Sequence, residues 1–176
     1  NYSNKELCGA AVAFKFIQYL YRLYQIDTKN LYPLIEAVAI ATVCDVMDLV
    51  DENRVLVKLG LIELKKTNNY GLKALIELSD ININMLSGYH LGFIIGPCLN
   101  ASGRLDTAKK GLSLLLANSK EEAYELAKEL KVLNDERKDM TADGVEEAKN
   151  LIETIDLKDD KVLVVYLPDC HESIAG

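Results

Sequence analysis

Hydrophobic residues recur every three to four positions along most of this chain, a spacing that predicts helices. Two helices are predicted at residues 11–23 and 31–42, and the second is apolar almost all round, so we expect it to be buried. Further helices are predicted at residues 53–64 and 72–78, followed by a less regular short helix within residues 81–91. The pattern therefore predicts a mainly α-helical architecture.

The most regular segment covers residues 119–155 and predicts one long helix. It begins with Ser119 followed by Glu122, the spacing of a capping box, and a stripe of leucines follows: Leu126, Leu130 and Leu133. At 1.5 Å per residue a continuous helix here would be about 50 Å long, a length that usually connects two domains. Gly144 costs about 1 kcal/mol relative to Ala inside a helix, so the sequence allows a break near residues 141–144.

One run of residues has the character of a strand. Residues 161–167, KVLVVYL, are apolar and rich in β-branched side chains, and Pro168 ends the run. A single strand cannot form a sheet, so we expect it to be the first strand of a further domain. The chain also starts at Asn1 rather than Met and ends at Gly176 soon after this strand, which predicts a longer parent protein.

The net charge of −7 is concentrated in one segment. Residues 119–160 hold 14 acidic and 7 basic residues, whereas residues 45–118 hold 8 of each. No broad basic stripe marks a nucleic-acid surface, but the neutral stretch is compatible with a strand that is held locally.

Composition also bears on location. Four widely spaced cysteines without a C-x-x-C pair argue against a zinc knuckle or a disulfide framework, and favour reduced thiols in the cytoplasm. We interpret all four as packing residues. No apolar run approaches the length of about 20 residues that spans a bilayer, so we expect no membrane association.

Residues 96–106, GPCLNASGRLD, are the most informative run. Gly and Pro predict a turn that opens into a helix at residues 108–116, and such a turn offers free backbone N–H groups to an anion. Arg104 adds a planar two-pronged donor that suits a phosphate. An ordinary turn, with Arg104 tying a loop to a helix end, is the alternative interpretation.

This run and an earlier one together resemble the RecJ family of single-strand-specific exonucleases in the DHH phosphoesterase superfamily. The earlier run contains Thr42-Val43-Cys44-Asp45-Val46 and Glu52-Asn53-Arg54, and the later one contains Gly96-Pro97 and Asn100-Ala101-Ser102-Gly103-Arg104-Leu105. The opening LCGAAVAFKF, Asn134 with Arg137, and His171 fit the family in the same order. The resemblance covers essentially the whole chain, although Cys98 stands where a basic residue is common.

The resemblance implies a mainly α fragment of an α/β protein. Residues 1–118 would be the C-terminal helices of a DHH domain, and residues 119–158 the long connector helix between domains. Residues 159–176 would begin the DHH-associated domain with its first strand.

The resemblance also assigns roles to individual residues. Asp45 would be one ligand of a site for two Mn²⁺ or Mg²⁺ ions, since hard divalent ions prefer oxygen ligands. The family's D-x-D, further Asp and Asp-His-His ligands have no counterpart in this chain, so the site would be a remnant. From the residues alone, Asp45 is equally a helix cap or a salt-bridge partner.

Other residues of the run would surround the substrate. The family pattern implies seven substrate-binding residues: Asn100, Ser102, Gly103, Arg104, Asn134, Arg137 and His171. Asn53 and Arg54 would lie next to the metal ligands and hold them in position. A solvated helix start at residues 52–53 and a surface pair at Asn134 and Arg137 are the alternatives.

The function implied is part of a metal-dependent exonuclease that hydrolyses single-stranded DNA from the 5′ end in DNA repair and recombination, with this fragment inactive by itself. One alternative is a phosphodiesterase of the same superfamily acting on oligonucleotides or cyclic dinucleotides. The other is a helical scaffold that has lost its metal ligands. The sequence does not identify a protein partner.

Overall fold

The computed structural model describes residues 2–105, 107–154, 161–168 and 170–171, and this part of the chain folds as a bundle of helices. The helices are α1 (Gly9–Leu23), α2 (Tyr32–Cys44), α3 (Asp51–Leu64), α4 (Tyr70–Leu78), α5 (residues 88–105), α6 (Lys109–Leu115) and α7 (Lys120–Thr154). Short 3₁₀ turns at Thr28–Leu31 and Ile83–Met85 precede α2 and α5. The helices predicted at residues 11–23, 31–42, 53–64 and 72–78 are confirmed within a few residues. The short helix predicted within residues 81–91 is instead a 3₁₀ turn followed by the first residues of α5.

Helix α2 lies at the centre of the bundle, as its nearly continuous apolar sequence predicts. It packs against α3 most extensively and against α1 on another side. Gly60 of α3 allows α3 to approach α2 closely, since a Cβ there would overlap the Cβ of Ala39 and lie 2.7 Å from the carbonyl oxygen of Ile35. The bundle therefore packs against α2 on several sides and fixes the point at which this helix ends.

Helix α7 continues far beyond the bundle. The N–H of Glu122 donates to Ser119 Oγ at 3.1 Å, so Ser119 caps the helix as predicted. The Glu122 carboxylate accepts from the N–H of Asn118 at 2.9 Å, one residue before the N–H that a capping box uses. Its buried residues all belong to the first half, which packs on α4, α5 and α6: Ala123, Ala127, Leu130 and Asn134. The helix is unbroken at Gly144, and its 35 residues span about 52 Å.

The strand predicted at residues 161–167 is not formed. The structure assigns no strand to any residue it describes, and the apolar side chains of this run, such as Val164 and Tyr166, are exposed. A strand is defined by ladder hydrogen bonds to a neighbour, and none of the described segments supplies one. The predicted helix end near Ile155 and the boundary at residues 158–159 lie outside the described residues.

The turn predicted at residues 96–106 is also wrong, because residues 96–105 are helical. Helix α5 consists of Gly88–His90, a π-helical segment at Leu91–Ile95, and Gly96–Leu105. Pro97 has no N–H to donate to the carbonyl of Phe93, and the wider π turn directly before it, closed by the Gly96 N–H and the Leu91 carbonyl, accommodates this gap. The predicted helix at residues 108–116 is confirmed as α6.

Candidate functional site

A groove of about 1040 Å³ opens between α2, α5 and α6. Apolar side chains of α2 and α6, such as Leu34 and Leu112, form much of its walls. Three of the residues predicted to bind metal or substrate lie at its edge: Asp45, Asn100 and Gly103. The structure therefore brings together residues that are more than fifty positions apart in the sequence.

Asp45 is exposed and occupies the position directly after α2. The N–H groups of Val46 and Met47 bond back to the carbonyls of Val43 and Thr42, each at 3.1 Å, which is the pattern of a Schellman motif. This motif places Val46 in the left-handed region with φ of 54°, where glycine is usual. A β-branched residue there is a backbone outlier, and such strain is typical of functional sites.

The end of α2 is locked to α5 beside Asp45. A Cβ on Gly96 would overlap Cys44 Sγ, so only glycine allows this approach. Cys44 Sγ donates to the Leu91 carbonyl at 3.5 Å, and burial raises the pKa of this thiol, with Asp45 adding to the effect. Cys44 is therefore a neutral packing residue, and Asp45 has a fixed position relative to α5.

Asn53 connects the chain segments on either side of Asp45. Its side chain is 1% exposed, and Nδ2 donates to the carbonyls of Glu6 at 2.6 Å and Asp48 at 3.1 Å. It thereby holds the loop after Asp45 against the segment that leads into α1. The Asn53 Oδ1 atom is buried without a hydrogen-bond partner. The neighbouring Arg54 is exposed.

The four residues predicted to bind phosphate at residues 100–104 have different surroundings. Asn100 and Gly103 line the groove, and Arg104 is exposed next to them. Ser102 is 0% exposed, its Oγ has no hydrogen-bond partner, and it lies on the side of α5 that faces Gly111 of α6. Because the segment is a helix, most of its backbone N–H groups are already used within it. Side chains would therefore supply most phosphate contacts of this segment.

Asn134 and Arg137 lie on one face of α7, as their spacing predicts. Arg137 Nη2 donates to Asn134 Oδ1 over a long 3.4 Å, and Asn134 is buried at the end of the packed half of α7. Burial raises the pKa of the nearby Cys98 thiol of α5, while Lys138 and Lys131 of α7 oppose the rise. The pair is thus part of the contact between α5 and α7. His171 is exposed and does not line the groove.

Glu36 is a buried acid of the groove that the sequence interpretation did not single out. Thr67 Oγ1 donates to Glu36 Oε2 at 2.7 Å, and Glu63, which is paired with Lys66 at 3.0 Å, lies on the same groove wall. Burial raises the pKa of Glu36 and the hydrogen bond from Thr67 opposes this, while Glu63 raises it further. The signal was a single carboxylate within the otherwise apolar residues 31–42.

The oxygen donors in the groove suit a hard divalent ion but do not complete a site. Asp45 offers an exposed carboxylate, which is a preferred ligand of Mg²⁺ and Mn²⁺. Within the residues that the structure describes, no three His, Cys, Asp or Glu side chains come close enough together to hold a metal ion. In the same part of the chain, no helix combines the length and apolar character needed to cross a membrane.

The sequence is similar to curated proteins named single-stranded-DNA-specific exonuclease RecJ. The relative from Bacillus subtilis is 38% identical over 175 residues, which cover 99% of this chain and 21% of the relative. The relative from Escherichia coli is 34% identical over 189 residues, covering 100% of this chain and 33% of the relative. The chain therefore spans a fifth to a third of the relatives' length. No protein-family model matches it.

Solved structures show the same fold. The crystal structure of RecJ from Thermus thermophilus in complex with Mg²⁺ matches 99% of this chain and 27% of its own, with a TM-score of 0.82 and 27% identity. The same protein in complex with Mn²⁺ matches 98% of this chain and 25% of its own, with a TM-score of 0.83 and 29% identity. In sequence and in fold, this chain matches a segment of the RecJ family.

Proposed function

We propose that this chain is part of a metal-dependent exonuclease that hydrolyses the phosphodiester bonds of single-stranded DNA from the 5′ end. The observation that carries the proposal is the exposed Asp45, presented by a strained turn at the edge of a groove that also contains Asn100 and Gly103. The names of the similar proteins support an exonuclease specific for single-stranded DNA. They give no support to a cyclic-dinucleotide phosphodiesterase or to a scaffold.

Each residue of the groove edge has a role in this proposal. Asp45 would be one ligand of Mn²⁺ or Mg²⁺, ions that activate water and stabilise the charge that develops on a phosphate. Asn100 and Arg104 would hold phosphate oxygens through their side chains. Asn53 would keep the loop of Asp45 in place through its two hydrogen bonds. Further metal ligands would come from the rest of the parent protein.

The proposal includes a location and a process. The structure describes all four cysteines as free, which is compatible with a reducing cytoplasm. We place the parent enzyme there, with single-stranded DNA as its substrate in repair and recombination.

Replacing Asp45 in the full-length parent tests the proposal. Asp45→Asn keeps the size of the side chain but removes the charge that a divalent ion requires, so we expect hydrolysis of a labelled single-stranded oligonucleotide to fall at least a hundredfold. Calorimetric titration should show weaker Mn²⁺ binding, while the melting temperature without metal stays the same. Asp48→Asn, an exposed acid in the same loop, is the matched control and should retain activity. Full metal-dependent activity of Asp45→Asn would contradict the proposal.

A further inference from the structure

Helix α5 presents one exposed stripe along its whole length. Tyr89, Phe93, Asn100 and Arg104 are exposed, and Pro97 between them is half-buried. Steps of three to four residues place these positions on one face of a helix. The stripe therefore leads from two aromatic side chains, at the start of α5, to the polar residues beside the groove.

The two aromatic rings are arranged as a platform. Their centroids are 5.1 Å apart and their planes differ by 26°, which is a stacked geometry. Tyr89 is 63% exposed and Phe93 is 69% exposed, so each ring keeps much of its surface open. Exposed aromatic rings are the groups on which the bases of single-stranded nucleic acids stack.

Acidic residues are absent from α5 and from the turn that precedes it. Residues 81–105 contain no Asp or Glu, although the chain as a whole has 27 acidic residues. Arg104 supplies a cation at the end of the stripe that lies beside the groove. A strand of DNA that follows α5 would therefore meet no repelling carboxylate from the helix itself.

The platform is also fixed relative to Asp45. The inner side of the π-helical segment is anchored by Leu91 and Ile95, which are fully buried. On that side a Cβ on Gly92 would lie 3.2 Å from Val43 Cγ1, so α5 lies directly against the last turn of α2. Base stacking at the platform would thus set the position of a strand relative to the metal-ligand candidate.

We propose that Tyr89 and Phe93 form a base-stacking platform for single-stranded DNA, whose backbone continues along α5 towards Asn100 and Arg104. This rests on the proposed nuclease function and adds a substrate-positioning site to it. Fifteen residues separate Tyr89 from Arg104, or about 22 Å along a helix. The platform would therefore engage a few nucleotides, at the lower end of the site sizes known for single-strand-binding folds.

The test measures DNA affinity in the full-length parent by fluorescence anisotropy in EDTA, so that no hydrolysis occurs. The double variant Tyr89→Ala with Phe93→Ala should bind an oligothymidylate at least tenfold more weakly, because the loss of stacking on one base weakens DNA affinity by about tenfold or more. The ring-preserving changes Tyr89→Phe and Phe93→Tyr should bind normally. Tyr124→Ala, an exposed tyrosine on α7, is the off-site control and should also bind normally.

An abasic oligonucleotide separates stacking from a structural effect. Wild-type protein should bind abasic DNA as weakly as the double variant binds intact DNA, and the double variant should not distinguish the two. Unchanged DNA affinity in the double variant would overturn the proposal. If the double variant also melts at a lower temperature, the rings pack within the parent protein. If its melting temperature is unchanged, the exposed rings are a surface for a protein partner. Loss of metal-dependent hydrolysis in Asp45→Asn tests the nuclease proposal separately, because the binding assay contains no metal.

Discussion

At the scale of single residues, the polar side chains near the groove divide by what they contact. Asn53 is buried and uses its amide nitrogen for two hydrogen bonds that hold the loop after Asp45. Ser102 is buried and uses its hydroxyl for none. An unsatisfied buried hydroxyl costs free energy of folding without contributing to binding. Ser102 therefore shows that membership of a sequence motif does not by itself place a side chain in contact with substrate.

We predict that Ser102→Ala leaves activity unchanged in the parent and raises the stability of the chain, or leaves it unaltered. Removing the hydroxyl relieves an unpaired buried group, and the gain should not exceed about 1 kcal/mol. Thermal unfolding followed by circular dichroism measures the stability, and digestion of a labelled strand measures the activity. A loss of strand binding at an unchanged melting temperature would show instead that Ser102 reaches the substrate.

At the scale of elements, three helices end with the same hydrogen-bonding motif but with different residues in its left-handed position. These residues are Gln25 after α1, Val46 after α2 and Asp80 after α4, with φ of 54°, 54° and 52°. In each motif two N–H groups bond back to carbonyls of the last helical turn. A β-branched side chain fits this conformation worst, whereas Asp tolerates it well. The strain is therefore largest next to Asp45.

We predict that Val46→Gly stabilises the chain by about 1 kcal/mol, because glycine adopts the left-handed conformation without a steric penalty. Gln25→Gly should gain less and Asp80→Gly least, and these two variants serve as matched controls. Chemical denaturation with urea gives the three changes in free energy of unfolding. Equal gains for all three substitutions would refute the idea that the β-branched side chain is the source of the strain.

The contact between α1 and α3 includes an ion pair that responds to pH. Lys15 pairs with the Glu52 carboxylate, which also accepts from Tyr2 Oη at 2.9 Å. Burial raises the pKa of Glu52, but the hydrogen bonds from Lys15 and Tyr2 outweigh it, so the pKa lies below its usual 4.5. A carboxyl group whose pKa is lower in the folded state stabilises the fold above the unfolded-state pKa. That stabilisation is lost as the pH falls through the folded-state value.

We therefore predict that Glu52→Gln lowers stability at pH 7 by about 1 kcal/mol, as expected for a partly exposed pair. The difference from wild type should stay constant down to about pH 4.5 and shrink below it, because the wild-type carboxylate then becomes protonated. Melting temperatures of both proteins between pH 3 and pH 7 measure this. A difference that does not depend on pH would assign the effect to packing.

Local sequence patterns predicted the helices well where hydrophobic spacing decided them, and failed where distant contacts decided. Gly96, Pro97 and Asn100 have the chemistry of a turn, but Gly96 instead allows α5 to pack on Cys44, and the π-helical segment accommodates Pro97. This contact joins residues that are about fifty positions apart, so no short window reveals it. Likewise, residues 161–167 have the composition of a strand, but a strand also requires a pairing neighbour.

The sequence predicted some residues of the candidate site and not others. The motif resemblance identified Asp45, Asn100 and Gly103, which the fold brings to one groove. It did not predict that Ser102 and Asn134 are buried, because burial depends on how α5 packs against α6 and α7. The resemblance also did not identify Tyr89 and Phe93. Their stacking and exposure depend on which face of α5 packs on the bundle, and the sequence alone does not show this.

At the scale of the whole molecule, the described part of the chain carries a groove edge rather than a complete metal centre. Its described residues hold no group of three potential ligands around Asp45. We predict that the purified 176-residue chain shows no metal-dependent hydrolysis of a single-stranded oligonucleotide, and that it binds Mn²⁺ only in the millimolar range, as one carboxylate allows. Nuclease assays with Mn²⁺ and calorimetric titration measure both. Degradation that EDTA stops and Asp45→Asn abolishes would show that the chain is complete by itself.

Because α7 is uninterrupted, the number of its residues determines the direction in which the chain leaves the helix. Each residue of a helix turns the chain by about 100° and advances it by 1.5 Å. Beyond Asn134, the last residue buried against the bundle, twenty residues of α7 continue without a break at Gly144. Deleting one of them would therefore swing whatever follows the helix to another side of the bundle while moving it very little. Deleting seven, which is about two turns, would draw it in by about 10 Å yet keep its direction. Orientation, more than distance, is what this helix transmits.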